Sequence, residues 1–228
     1  MPFGIIWDLD GTLYDFYRPS KRALYVTWES AYFSGWVDAR QSEYLFMTQN
    51  GEPLWEFAFW DNFYAYMDQA SGTDISKESL TYIIGNAWPL VSKRYRAVLA
   101  ETWWESFFYS LHLRPWVVPL FKKLSPRMPM GVLSNSPREL GDMKLKQLGL
   151  TRYFSEEHIL WAYDLGKPKP NAEPFLILCD RLALSPQNTM VIGDNEQTDI
   201  FGAKAAGMKY HLYQPGKEAE MLFDVFHS

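Results

Sequence analysis

The sequence predicts an α/β protein with a doubly wound parallel sheet and a smaller all-helical domain. From about residue 115 onward, short apolar runs alternate with segments of helical periodicity, a pattern typical of parallel α/β sheets. Between about residues 16 and 112 this alternation is absent, and aromatic and aliphatic residues recur at helical spacing. We therefore predict a sheet core formed by residues 1–15 and 113–228, interrupted by a helical domain of residues 16–112.

The elements of the core follow from short apolar runs and from the residues that end them. Phe3–Trp7 is an apolar run that stops at Asp8, so the first strand is expected there. Gly149 and Gly207 suit helix ends, because glycine readily adopts the left-handed conformation found there. Further strands are expected near Met130–Ser134, Ile159–Trp161, Thr189–Ile192 and Lys209–Tyr213, with helices near Arg138–Leu148, Ala172–Leu182 and Asp199–Ala206.

Several packed helices are expected in the inserted domain. Trp28, Tyr32 and Trp36 lie four residues apart, and seven of the ten tryptophans fall in this part of the chain. Aromatics at helical spacing mostly form a core; a wall that stacks a base or sugar ring, or a dimer interface, is the alternative. Local signals predict a helix start at Arg18-Pro19-Ser20, a break at Ser71-Gly72-Thr73-Asp74 and a return to the core at Arg114-Pro115.

Composition excludes several classes of protein. The 228 residues are 47% hydrophobic, enough to bury a sizeable core, and the formal net charge of -5 with dispersed positive residues argues against nucleic acid as a partner. Cys179 is the only cysteine, so an intrachain disulfide is impossible and a reducing compartment is expected. With no signal-peptide pattern and no apolar run approaching about 20 residues, we expect a soluble, cytoplasmic protein without a membrane partner.

Two carboxylates at the end of the first strand are the main functional signal. Asp8 and Asp10 follow the apolar run directly, and Gly11-Thr12 turns the chain immediately after them. Mg²⁺ takes oxygen ligands and is usually held by one or two carboxylates together with substrate phosphate. The pair therefore predicts a Mg²⁺ site and phosphoryl-transfer chemistry, although five residues alone could be a strand followed by an ordinary Asp-Gly turn.

Three further signals follow in order along the chain. An apolar run ends at Ser134 and Asn135, a proline-bracketed loop presents Lys167, and another apolar run ends at Asp194, with Asp199 five residues later. Each has a structural alternative, because Ser134 could cap the next helix, Lys167 could be a solvated lysine and Asp194 could lie in a simple turn. Their order and their common position after predicted strands favour the functional interpretation.

With these four motifs the sequence resembles the haloacid dehalogenase-like (HAD) hydrolase superfamily, in the subfamily with a helical cap inserted after the first motif. The resemblance spans nearly the whole chain and implies a Rossmann-like core whose first strand is central, flanked by the strands before Ser134 and Asp194. It also implies that the helical domain is a cap that closes over the site and excludes water.

The resemblance further implies a role for each candidate residue. Asp8 would attack phosphorus and form an aspartyl-phosphate, while Asp10 would protonate the leaving oxygen and then take a proton from water. Lys167 would offset the charge of Asp8 and the phosphate. The Mg²⁺ would be held by Asp8, the main-chain carbonyl of Asp10, Asp194 and Asp199, and the phosphoryl group by Ser134 and amides near Asp10 and Gly11, with Thr12 and Asn135 in support.

The expected activity is Mg²⁺-dependent hydrolysis of a small phosphorylated metabolite. A phosphotransferase or mutase related to β-phosphoglucomutase is the alternative, because such enzymes keep both aspartates, and a non-catalytic phospho-acceptor is a further one. Arg18, Lys21 and Arg22 could meet a second anionic group of the substrate or could form a solvated helix face. Nucleoside monophosphates and sugar phosphates are the first substrate classes to test, and a monomer and a homodimer are both compatible with the sequence.

Overall fold

The computed structural model describes residues 3–36, 54–69, 76–89 and 91–227. The chain divides into two compact units: an α/β unit of Met1–Phe16 and Leu111–Ser228, and a helical unit of Tyr17–Ser110. The break expected at Ser71-Gly72-Thr73-Asp74 lies outside the described residues.

The helical unit contributes the first four helices of the described chain, and the α/β unit contributes the strands and the later helices. The strands are β1 (Gly4–Trp7), β2 (Met130–Ser134), β3 (Ile159–Trp161), β4 (Thr189–Gly193) and β5 (Lys209–Leu212). The helices are α1 (Tyr17–Phe33), α2 (Leu54–Gln69), α3 (Lys77–Ala87), α4 (Lys93–Tyr109), α5 (Val117–Leu124), α6 (Arg138–Gln147), α7 (Ala172–Arg181), α8 (Phe201–Ala205) and α9 (Glu218–His227).

The described strands form one parallel sheet in the order β3-β2-β1-β4-β5. The predicted α/β fold is confirmed, and β1 is central with β2 and β4 on either side, as expected. Each predicted strand agrees with the observed one to within one residue at each end. Gly149 and Gly207 both have positive φ, at 64° and 71°, and they follow α6 and α8 as predicted.

Helices cover both faces of the sheet. Ile6 and Trp7 are consecutive in β1, so their side chains point to opposite faces. Ile6 joins a buried cluster with Phe175 of α7 and Ala203 of α8. Trp7 packs against Phe121 of α5, with ring centroids 5.1 Å apart. Burying each such large side chain stabilises the fold by about 1.5–3 kcal/mol, which explains why β1 is apolar on both faces.

Aromatic side chains form the interior of the helical unit. The rings of Trp28 and Trp55 stack at 4.8 Å, and the indole N–H of Trp88 donates to the main-chain oxygen of Trp55 at 3.1 Å. Trp55, Trp88 and Trp103 are buried. Of the helix-spaced aromatics Trp28, Tyr32 and Trp36, the first and last are half-buried and stack on Trp55 and Tyr95, whereas Tyr32 is 45% exposed, so only part of that stripe serves as core. None of the helices within the described ranges is both long enough and apolar enough to cross a membrane.

The chain leaves and re-enters the α/β unit at neighbouring points. The main-chain N–H of Arg114 donates to the carbonyl of Leu13 at 3.0 Å, and its guanidinium donates to the carbonyls of Gly11 and Thr12 at 2.7 and 3.0 Å. These three hydrogen bonds of Arg114, which we call the clamp, fix the turn that follows Asp10.

Candidate active site

The carboxyl ends of β1, β2 and β4 bring the predicted polar residues to one edge of the sheet. Asp8 follows β1 directly, Ser134 is the last residue of β2, and Asp194 follows β4. Because the three strands are parallel neighbours, their ends meet at the same edge, where ligands bind in open α/β sheets. The main-chain N–H of Asp8 still donates to Ile192 at 2.9 Å, so the first carboxylate is held by the sheet ladder itself.

A buried lysine joins two of the aspartates. The Nζ of Lys169 lies 2.6 Å from Oδ1 of Asp8 and 2.6 Å from Oδ1 of Asp199, and it donates to the carbonyl of Leu133 at 3.1 Å. An ammonium group has three protons, and these contacts use all of them. The main chain of Lys169 is held by the Asn135 side chain, whose amide oxygen accepts from the Lys169 N–H at 2.8 Å and whose amide nitrogen donates to the Lys169 carbonyl at 3.2 Å.

The position of this lysine corrects the sequence prediction. Lys167, which we expected beside Asp8, has an exposed side chain that pairs with Glu173 at the start of α7. The two lysines are separated by Pro168, and it is Lys169 whose main chain is gripped by Asn135. The loop thus turns Lys169 inward and leaves Lys167 in solvent.

Three carboxylates form a cluster of oxygen donors suited to a cation. One oxygen from each of Asp8, Asp194 and Asp199 lies within 4.8 Å of the others. The Oδ2 atom of Asp8 is buried and has no hydrogen-bond partner among the described residues. Such an orphaned carboxylate oxygen is costly without a partner, and a hard divalent cation would supply one. The donor set therefore fits Mg²⁺.

Glycines allow this cluster to be compact. A Cβ at Gly11, whose φ is 84°, would lie 2.2 Å from Oδ2 of Asp194, and a Cβ at Gly193 would lie 2.3 Å from Oδ2 of Asp199. Thr12 donates its hydroxyl to Asp194 at 3.0 Å and so orients that carboxylate. Thr12 thus contacts Asp194, as Asn135 contacts Lys169.

Crowding of acidic groups changes their pKa values. Burial raises the pKa of Asp8 well above its ordinary range; the positive charge of Lys169 opposes this shift, and the charges of Asp199 and Asp194 add to it. Partial removal from water and the charge of Asp199 raise the pKa of Asp194 as well. Burial alone would lower the pKa of Lys169, but the two carboxylates on either side raise it above its usual value. The lysine therefore remains charged.

Asp10 lies in a separate set of contacts, within a cage of four donors. Its Oδ2 accepts from the hydroxyls of Ser134 and Ser136 at 3.2 and 3.0 Å. Its Oδ1 accepts from the hydroxyl of Tyr14 and from Nζ of Lys144, the latter at 2.5 Å. Burial raises the pKa of Asp10, but the positive charge of Lys144 and the donated hydrogen bonds outweigh burial and lower it.

Four residues of the site, Tyr14, Ser136, Lys144 and Lys169, were not among the sequence candidates. Lys144 carried a usable signal: it lies on the stripe of α6 that also carries Leu140 and Leu145, where a charged residue interrupts an otherwise apolar face. Tyr14 carried none, because an aromatic residue near a strand end is ordinary core. Ser134 does not cap α6, since its oxygen accepts from the N–H of Ser136 within the turn before that helix.

The fold places these acidic residues at the edge of the sheet where ligands bind, and comparison with known proteins identifies the family. The model of the haloacid dehalogenase-like hydrolase family matches residues 4–207. The chain belongs to this family of hydrolases.

Individual relatives are more distant. Phosphoglycolate phosphatase of Escherichia coli (strain K12) is 32% identical over 80 residues, which are 35% of this chain and 31% of that protein. Ribulose-1,5-bisphosphate 5-phosphatase of Halopiger xanaduensis is 25% identical over 123 residues, 54% of this chain and 51% of that protein. The matches thus span between about a third and a half of these relatives.

Among solved structures, the HAD-hydrolase YfnB of Bacillus subtilis, in a form bound to magnesium, is similar over 100% of both chains. The TM-score is 0.70 and the identity 19%, so this likeness concerns the fold.

Proposed function

We propose that this protein is a Mg²⁺-dependent phosphatase that hydrolyses a small phosphorylated metabolite through an aspartyl-phosphate on Asp8. The observation that carries the proposal is the buried Oδ2 of Asp8, which lies in a cluster of three carboxylates and has no hydrogen-bond partner in the part of the chain that the structure describes. A carboxylate in that environment can serve both as ligand and as nucleophile. The phosphatase names of the partial relatives are in keeping with it.

The charge of the cluster supports the choice of a divalent cation. When ionised, Asp8, Asp194 and Asp199 together with Lys169 carry a net charge of -2, which repels a phosphate dianion. Mg²⁺ held by the three aspartates and the main-chain carbonyl of Asp10 would neutralise that charge and stabilise the transferring phosphoryl group. Lys169 takes the role that we first expected of Lys167, because it contacts Asp8 directly.

Asp8 and Asp10 take different parts in the proposed reaction: Asp8 receives the phosphoryl group, and Asp10 transfers the protons. An oxygen of Asp8 bonds to phosphorus as the ester P–O bond breaks, and the leaving oxygen takes its proton from Asp10. In the second step, water bonds to phosphorus as the Asp8–phosphorus bond breaks, and Asp10 takes the proton of that water. Splitting one displacement into two matters because uncatalysed phosphate-monoester hydrolysis is among the slowest known reactions.

Other residues of the edge would bind the phosphoryl oxygens or hold the reactive groups. The Ser134 hydroxyl and the main-chain amides near Asp10 and Gly11 are the proposed phosphate ligands. Thr12 and Asn135 act through Asp194 and Lys169, which they contact. The helical unit, in this proposal, is the cap and supplies the specificity for the organic part of the substrate.

The test is phosphate release from a panel of phosphate esters by the purified chain with Mg²⁺. Nucleoside monophosphates and sugar phosphates come first, and phosphoglycolate and ribulose 1,5-bisphosphate are included because two partial relatives bear those names. Release should require Mg²⁺, disappear in Asp8→Asn and persist in Asp180→Asn, a matched change at an exposed residue of α7. Radiolabelled phosphate should attach to the wild-type chain during turnover but not to Asp8→Asn.

Three results would contradict the proposal in different ways. Formation of an isomeric phosphate ester in place of free phosphate would identify a mutase. A labelled chain that never releases phosphate would identify a phospho-acceptor. Turnover without any label on the chain would refute the covalent step.

A further inference from the structure

Lys144 of α6 is a buried cation that the proposed reaction does not use. Its residue exposure is 2%, and it shares the inward stripe of the helix with Leu140, Gly141 and Leu145. Removing an ammonium group from water costs several kcal/mol, and an apolar residue of similar volume is often equally or more stabilising at such a position. A lysine here is therefore better explained by its contacts than by packing.

Among the described residues, the hydrogen-bond partners of the Lys144 side chain are Asp10 and Ser136, and both belong to the cage around the Asp10 carboxyl group. Nζ of Lys144 lies 2.5 Å from Oδ1 of Asp10 and donates to the hydroxyl of Ser136 at 3.0 Å. Ser136 in turn donates to Oδ2 of the same aspartate at 3.0 Å. Lys144 thus holds one carboxylate oxygen directly and the other through Ser136, which fixes the plane of the carboxyl group.

Close packing of α6 against the end of β3 brings Lys144 within hydrogen-bond distance of Asp10. Gly141, one turn before Lys144, lies against Trp161 at the end of β3, where a Cβ would come within 2.4 Å of the indole ring. The indole N–H of Trp161 donates to Asp142 of the same helix at 3.1 Å. A glycine at the contact therefore lets the helix approach the sheet edge closely.

We propose that Lys144 is a positioning residue for the proton transfers of Asp10. The inference rests on the proposed function, in which Asp10 gives a proton to the leaving oxygen and later takes one from water. Misplacing a reacting group by about 1 Å can cost on the order of 10²-fold in rate. By fixing the Asp10 carboxyl group from two sides, Lys144 keeps it at the position where both transfers occur.

The leaving group provides a specific test. An alkyl phosphate has a poor leaving oxygen that needs the proton of Asp10, whereas the para-nitrophenolate of para-nitrophenyl phosphate leaves readily without it. In Lys144→Met, kcat/KM, which reports the reaction only up to the loss of the leaving group, should fall by about 10²-fold for an alkyl phosphate and far less for para-nitrophenyl phosphate. Lys146→Met, at an exposed position of the same helix, should match the wild type.

A double-mutant cycle with Asp10→Asn shows whether Lys144 acts through Asp10. Once Asp10 is replaced, Lys144→Met should cause little further loss, because residues that act as a unit are not additive. If Lys144→Met fails to fold in thermal denaturation, Lys144→Gln, which keeps a donor but not the charge, is compared in the same way.

The results that overturn the inference differ from those that overturn the function. Equal losses of kcat/KM for both esters, or losses that multiply in the Asp10→Asn background, would refute the positioning role and leave the phosphatase assignment intact. A wild type inert toward every ester would refute the proposed function and this inference with it.

Discussion

Lys169 is buried between Asp8 and Asp199, whereas Lys167, two residues earlier, is exposed and pairs with Glu173. Lys169→Met leaves Asp8 and Asp199 without their shared cation, and removing one partner of a buried ion pair costs about 3–5 kcal/mol. We expect it to abolish measurable Mg²⁺-dependent hydrolysis and to lower the urea midpoint. Lys167→Met removes only an exposed pair, so stability should change by less than about 0.5 kcal/mol. Comparable activity losses in the two variants would contradict this assignment.

Sequence reasoning identified the loop but not the lysine. Both lysines precede a proline, both lie after the predicted third strand, and spacing alone does not rank them. The difference arises from Asn135, a residue more than thirty positions earlier, whose amide binds the main chain of Lys169 on both sides. A contact between residues so distant in sequence is outside what local patterns convey. The aspartates were easier, because each directly follows a recognisable apolar strand or lies close behind one.

The raised pKa of Asp8 predicts how stability without Mg²⁺ depends on pH. Folded Asp8 keeps its proton to a higher pH than unfolded Asp8, whose ordinary pKa is 3.8, so the folded state binds more protons in that window. The contribution of Asp8 to the free energy of unfolding therefore falls as pH rises from about the ordinary value to the raised one. Asp8→Asn should remove this dependence.

Urea denaturation in the presence of a chelator, at a series of pH values, measures that contribution as the difference between wild type and Asp8→Asn. Asp180→Asn serves as the exposed control. The free energy of unfolding of Asp8→Asn minus that of the wild type should increase as pH rises through the window. A difference that does not change with pH would show that Asp8 has an ordinary pKa.

At the scale of elements, the strands were predicted more closely than the helices. Each strand is a short apolar run bounded by polar or turn residues, and that signal is local. α5 and α9 were not predicted. α5 begins with Val117-Val118-Pro119, and a proline inside a short apolar segment obscures the helical pattern although the first turn tolerates it. The helix expected at Asp199–Ala206 has α-helical geometry only from Phe201, because residues Glu196–Ile200 form a wider π-helical turn.

That wider turn presents Asp199 to the site, and Asn195 caps it. The Asn195 side chain accepts from the N–H groups of Gln197 and Thr198 at 2.9 and 3.1 Å, while the main-chain N–H of Asn195 donates to Oδ2 of Asp199 at 3.1 Å. Asn195→Ala should cost about 1 kcal/mol of stability. It should also weaken Mg²⁺ binding, because the turn that positions Asp199 loosens.

Ser76→Ala is the matched control for the loss of a cap. Ser76 caps α3 in the helical unit by accepting from Ser79 N–H at 3.1 Å. Its replacement should cost a similar free energy of unfolding and leave Mg²⁺ affinity, measured by titration calorimetry, unchanged. Equal Mg²⁺ affinity in the wild type and both variants would contradict the proposed role of the π-helical turn.

At the scale of the whole molecule, the sequence texture and the compact units divide the chain at nearly the same places. The helical pattern was expected over residues 16–112, and the helical unit spans Tyr17–Ser110. The two crossings of the chain lie side by side, since Arg114 binds the carbonyls of Leu13 and Thr12. Both segments of the α/β unit, residues 1–16 and 111–228, therefore contribute to its sheet and to the hydrogen bonds made by Arg114.

Replacing residues 17–110 by a short Gly/Ser linker should leave a folded α/β unit. We expect one cooperative unfolding transition in urea, with a smaller m-value than the full chain because less surface is exposed on unfolding. The control is the full chain with the same linker inserted between Phe16 and Tyr17. A broad, non-cooperative transition for the shortened chain alone would show that the α/β unit needs the helical unit in order to fold.

Trp7 makes the α/β unit optically informative. Only three tryptophans lie in that unit, Trp7, Trp116 and Trp161. Trp7 directly precedes Asp8, the proposed nucleophile, and its ring lies 5.9 Å from that of Trp116. Its fully buried indole senses the local electric field, so a charge arriving at Asp8 should alter its emission. In the shortened chain, fluorescence could then follow the loading and unloading of the neighbouring carboxylate in real time without any added dye.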